Sequence, residues 1–121
     1  LAYGQRLSTP GFHIMEAQSQ HWVEMLTGLA ASGVELILAY TGEHPMPSHP
    51  LVPVIQVTAA ESMQQRYGQD LDLNLTGESD EWPELMLQLV GQVLLDQYSP
   101  KLHRQGNIDF QITRGLLGVS L

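Results

Sequence analysis

Residues 34–40, read as Val34, Glu35, Leu36, Ile37, Leu38, Ala39 and Tyr40, decide the fold. The run is too short for an ordinary helix and almost wholly apolar. That composition suits a central parallel strand buried on both faces. Gly33 stands immediately before it, where a helix C-cap belongs. Upstream of Gly33, Trp22, Met25, Leu26, Leu29 and Ala30 recur at i, i+3, i+4, i+7 and i+8. This spacing predicts a helix over residues 19–32 with one apolar stripe. A helix joined to a strand by almost no loop has the rhythm of a βαβ unit.

The same reading extends in both directions. Residues 11–16 (GFHIME) are short and mixed apolar, and predict a first strand over 12–16; residues 1–10 read as a linker. Residues 41–50 (TGEHPMPSHP) hold three prolines and cannot be regular structure. A loop of about ten residues is long for this fold class, and such loops often carry function. Residues 51–57 (LVPVIQV) predict a second strand, with Pro53 at an edge or at the strand start. Thr58 and Glu61 have capping-box spacing, so a helix is expected over 59–67, stopped by Gly68. Residues 70–75 (DLDLNL) alternate strictly and predict a strand with one apolar face. Ser79 or Asp80 should cap a further helix whose first turn tolerates Pro83. Its stripe is Trp82, Leu85, Met86, Leu89, Val90 and Val93. Residues 108–121 suggest a strand (IDFQITR), a turn at Gly115 and a short apolar end.

Alternating strands and helices imply an α/β fold of the Rossmann-like kind. We expect three layers: a mostly parallel sheet of about four strands with helices on both faces. The expected organisation is a linker over 1–10 and a single domain over 11–121.

Composition narrows the function. The 121 residues contain 13 acidic and 5 basic side chains, a formal charge of −8. Such a surface repels phosphate backbones, which argues against nucleic-acid binding. No apolar run approaches the roughly 20 residues that span a bilayer, so no membrane partner is expected. There is no cysteine, which excludes disulfides, iron–sulfur clusters and thiolate zinc sites and fits a cytoplasmic protein.

Ligands of open α/β sheets gather at the carboxyl ends of the strands. The leading candidates there are Thr41, Gly42, Glu43 and His44, with Thr58 and Asn74 at the ends of the next two strands. Gly42 permits close backbone approach, Thr41 offers a hydroxyl and His44 an imidazole. The alternative is a solvated loop whose Gly and Pro only shape a turn. His44 and His49 form one candidate metal pair. Asp70 and Asp72, two apart on one strand face, form another. Exposed histidines and the wet face of an edge strand are the competing readings.

The ordered motifs add a resemblance. Gly11 to Glu16 resembles the "G-x-x-[IF]-M-D" segment of altronate and galactarate dehydratases, in the C-terminal domain of that family. Thr27, Gly28, Ala31 and Gly33, followed by Ala39 to Gly42, resemble its "T-G-x-x-A-x-G…F-T-T-G-R-G". Residues 52–57 resemble "P-P-x-[IV]-K-[IV]", and Asp70 to Asn74 resemble "D-[IM]-D-[IF]-[ND]". Residues 107–110 and 118–121 resemble "N-D-F-[RQ]…G-V-T-L". The departures are specific: Glu43 and His44 stand where the family has Arg and Gly, Gln56 where it has Lys, and Ala60 where it has Asn.

The resemblance implies the terminal domain of a sugar-acid hydro-lyase, contributing part of a substrate cleft or a domain interface. It implies upstream domains of the same polypeptide as partners and a small-molecule sugar acid as ligand. A homodimer is left open. It also implies a divalent metal, typically iron(II), held mainly by those other parts, and an isolated domain without turnover. The lost Arg and Lys support a rival: a non-catalytic ligand-binding or interaction module of the same descent.

Overall fold

The computed structural model describes residues 1–17 and 19–112. Helix α1 (Trp22–Ala31) leads into strand β1 (Ile37–Tyr40), and strand β2 (Val54–Thr58) lies beside it. Helix α2 (Glu61–Tyr67) connects β2 to the two-residue strand β3 (Leu73–Asn74). A 3₁₀ turn at Ser79–Glu81 runs into α3 (Trp82–Leu94), and a short α4 (Lys101–Arg104) follows. The strands form one parallel sheet in the order β1-β2-β3. Ile37 is in register with Val54, and Val57 with Leu73.

The fold is therefore α/β, with a small parallel sheet and accompanying helices. Its centre differs from the expected one. Strand β2 has neighbours on both sides, and all five of its residues are buried. Strand β1 has one neighbour and alternates buried with exposed, leaving Leu38 43 % and Tyr40 61 % accessible. Both runs are apolar, so composition alone does not say which lies in the middle. Pro53 does stand at a strand start: its carbonyl accepts from the Ile37 amide at 2.9 Å. Proline needs no ladder donor there.

Alternate residues of β2 enter two separate apolar clusters. Val54 packs with Ile37, Ala39, Val52 and Leu26, joined by Trp22, Leu29 and Ala30 of the α1 stripe. Ile55 and Val57 pack with Leu75 and Leu89, joined by Trp82, Met86, Val90 and Val93 of the α3 stripe. Each fully buried aliphatic side chain contributes about 1.5–3 kcal/mol. This is why two helical stripes suffice to hold so small a sheet.

The helix ends depart from expectation in part. At the end of α1, Gly33 has φ +93°, and its amide donates to the Ala30 carbonyl at 3.1 Å. A side chain is strained in that conformation, so glycine terminates the helix. No capping box forms at α2. The N-cap is Ala60 and makes no side-chain bond; Thr58 Oγ1 instead accepts from the Ala60 amide at 3.2 Å. Neither Ser79 nor Asp80 caps α3, because the 3₁₀ turn intervenes and the N-cap is Glu81. Pro83 does lie in the first turn of α3.

Three expected strands are corrected. Residues 11–16 join no ladder. They belong to an irregular strap over residues 1–16 that docks at the end of α1 through Leu7 N to Ser32 O at 3.0 Å and closes on itself through Glu16 N to Leu1 O at 2.9 Å. The Tyr3 ring lies so close to Gly28 that a Cβ there would stand 2.4 Å from Tyr3 Cε2. The strand expected over 70–75 shrinks to Leu73–Asn74, because Asp70 and Leu71 still bond back to Tyr67 O. Among the described tail residues only Ile108 bridges, in parallel with Ser48. The turn at Gly115 and the apolar end lie outside the described residues.

Candidate functional site

The carboxyl ends of the three strands fall at Thr41, Thr58 and Asn74, and the ladder keeps them in step. Thr41 N donates to Val57 O at 3.0 Å, and Leu75 N donates to Thr58 O at 2.7 Å. Thr41 is 4 % exposed, and its hydroxyl is buried with no hydrogen-bond partner. Asn74 Nδ2 donates to Gly68 O at 3.1 Å, while its Oδ1 is buried without a partner. Gly68 is required at that contact. A Cβ on it would stand 2.5 Å from Gln64 O and 3.1 Å from Asn74 Nδ2. Thr58 is fully buried, with its hydroxyl turned to the Ala60 amide.

Beside Thr41 lies an open cleft of about 270 Å³, bounded by Trp22, Tyr40, Met46 and the turn from Thr41 to His44. Gly42, Glu43 and His44 are exposed. The loop after β1 is held from three directions. Trp22 Nε1 donates to Pro47 O at 2.7 Å. The Gln56 side chain pairs with the Met46 backbone at both ends, accepting from Met46 N at 2.9 Å and donating to Met46 O at 2.5 Å. The Ser48 carbonyl accepts from Asp109 N at 2.9 Å. Sequence reasoning missed Gln56 as the organiser of this loop. Its signal was a lone polar residue inside an apolar strand, where burial demands a partner.

The four candidate metal ligands are not brought together. His44 is exposed on the loop, whereas His49 is fully buried. His49 Nδ1 accepts from Leu51 N at 3.2 Å, which places the ring proton on Nε2, facing Thr27 Oγ1 at 3.5 Å. Phe110 tilts against the ring, with centroids 5.6 Å apart. Burial lowers the His49 pKa below the ordinary histidine value. Asp72 is a structural hub: Oδ2 accepts from Gln56 N, and Oδ1 accepts from Tyr98 OH and Lys101 N, each at 2.8 Å. Burial, and then the Asp72 carboxylate, push the Tyr98 hydroxyl pKa strongly upward. Asp70 lies in the turn after α2, its amide bonded to Tyr67 O. Among the described residues no three His, Asp or Glu side chains converge as a metal site.

Among those residues, too, no helix is long and apolar enough to cross a membrane. No curated protein and no solved structure matches the chain. One family model does match, that of the C-terminal domain of D-galactarate/altronate dehydratase, over residues 1–100. The matched span takes in the strap, the whole sheet, the loop after β1 and α3. The chain therefore belongs to the family of D-galactarate/altronate dehydratase C-terminal domains.

Proposed function

We propose that this domain forms one wall of a sugar-acid cleft in a cytoplasmic dehydratase-like protein, through the strand ends at Thr41, Thr58 and Asn74. One observation carries the reading. Two buried polar atoms, Thr41 Oγ1 and Asn74 Oδ1, stand unpartnered at the carboxyl ends of β1 and β3. An orphaned buried polar atom costs about 1–3 kcal/mol, and its retention at a strand end points to a ligand or a facing domain. The cleft beside Thr41 is shallow and just below the usual size of a ligand pocket. The remaining walls would come from upstream domains of the same polypeptide. The two apolar clusters support a layered, Rossmann-like arrangement, with α1 and α3 on opposite faces of the sheet.

In family-type chemistry a proton α to a carboxylate is removed and a β-hydroxyl leaves as water. A divalent metal, iron(II) by the resemblance, would supply the Lewis acid that stabilises the resulting charge. The acceptor atoms of Asp72 and His49 are already engaged and do not fit that role. This chain's share of the work is to orient hydroxyls of the substrate. Alone, it has no turnover.

A second reading, a non-catalytic ligand-binding or interaction module, is favoured by Gln56. Its amide is buried and held on the Met46 backbone, and it brings no positive charge to a carboxylate. One substitution separates the two readings. In the complete polypeptide, Thr41→Val keeps the shape and removes the orphaned hydroxyl. We expect melting temperature unchanged or raised and KM for D-galactarate or altronate raised several-fold, by one neutral hydrogen bond. Wild-type KM and kcat in that variant would sink the cleft-wall reading and leave the module.

A further inference from the structure

We propose that the cleft between Trp22, Tyr40 and the turn from Thr41 to His44 is a subsite for the uncharged, hydroxylated stretch of an acyclic polyol chain, and not for a carboxylate end. The inference rests on the cleft-wall reading and specifies which part of the ligand this wall receives.

The charge balance comes first. Among Asp, Glu, Lys and Arg side chains only Glu43 lines the cleft, beside the imidazole of His44, and the chain as a whole carries −8 with histidines neutral. A carboxylate placed here would meet a like charge at close range and a repelling field at long range. Among the described residues no Lys or Arg lines the cleft. Gln56 spends its amide on Met46, and Lys101 donates through Nζ to Leu71 O at 2.7 Å. Arg66 lies in the last turn of α2 and is not among the residues lining the cleft.

A hydroxyl has the opposite requirements. It donates to a carboxylate, which only accepts, and O–H···O⁻ bonds are short and strong. Glu43 is exposed, so its carboxylate can meet hydroxyls of a bound chain. The remaining walls suit the C–H edges between those hydroxyls. The indole of Trp22 is fixed by its bond to Pro47 O at 2.7 Å. The Tyr40 ring leans over Gly42, where an added Cβ would lie 3.8 Å from Tyr40 Cε1. An aromatic wall with a few placed polar groups is how a pocket orients a partly apolar ligand. At the floor, the buried Thr41 hydroxyl has no partner within the chain.

The probes are galactitol, a neutral six-carbon polyol, and adipate, a six-carbon dicarboxylate without hydroxyls. Each is titrated into the isotope-labelled protein at pH 8 while amide and indole N–H shifts are followed. Galactitol should move Trp22 Nε1–H and the amides of residues 41–44 and of Met46 saturably, and adipate should leave them in place. Glu43→Gln, at an exposed position, should raise the galactitol Kd about tenfold. Adipate shifts at these residues, a silent galactitol titration, or an unchanged Kd in Glu43→Gln would each overturn the assignment. D-galactarate, titrated in parallel, separates this failure from that of the broader reading. If galactarate moves the strand ends while galactitol does not, the cleft wall stands and the polyol subsite falls. If galactarate moves nothing at Thr41, Thr58 or Asn74, the cleft wall falls as well.

Discussion

Removing the charge from Asp72 tests whether one carboxylate ties the sheet to the chain that follows α3. Asp72→Asn preserves volume but replaces one acceptor oxygen with an NH₂ group. In the wild type, Oδ2 receives the Gln56 amide, and Oδ1 receives the Tyr98 hydroxyl and the Lys101 amide. The Tyr98 hydroxyl can rotate to accept from the new NH₂. The two backbone amides cannot, so either orientation leaves one of them facing a donor. An unsatisfied part-buried N–H costs about 1–3 kcal/mol, and the surviving bonds lose their charge assistance. We expect a loss of about 2–3 kcal/mol, a fall in melting temperature of roughly 6–12 °C for a chain of this size. Tyr98→Phe removes one donor of three and should cost about 1 kcal/mol. In a double-mutant cycle the two losses should be less than additive, because both act on the same oxygen. Urea denaturation of the four proteins gives the cycle. A loss below about 0.5 kcal/mol for Asp72→Asn, with m unchanged, would refute the hub.

Two further predictions test buried contacts. The folded-state pKa of His49 is lowered, so the unfolded chain binds its proton first as pH falls. The sign follows: stability is full above the ordinary histidine value of about 6.5 and declines as pH drops through it. Replacing His49 with Gln should flatten that part of the stability–pH curve, and an unaltered slope would contradict the burial argument. Gly28→Ala drives a Cβ to 2.4 Å from the Tyr3 ring and should displace it, at about 1–3 kcal/mol. Truncating Tyr3 to Ala in the same chain should relieve most of the added cost, and additive losses would show that the strap does not rest on Gly28.

What the sequence determined by itself was local. The α1 stripe, Gly33 as its terminator, the strand runs at 34–40 and 51–57 and the α3 stripe all follow from periods of a few residues. Such patterns are written in neighbours at i+2, i+3 and i+4, so a linear reading recovers them. The ordered motifs likewise pointed to the family, which the match over residues 1–100 bears out. The tertiary structure alone decided the rest. Two equally apolar runs became a buried centre and a half-exposed edge, because burial depends on how many neighbours a strand has and not on its composition. Asp72 left the set of free carboxylates because donors 16, 26 and 29 residues away converge on it. Gln56, placed in the β2 run by its pattern, became the clamp of the loop after β1 through a backbone ten residues upstream. Partners at such separations are chosen by chain topology, and a buried polar group takes whichever of them the fold delivers.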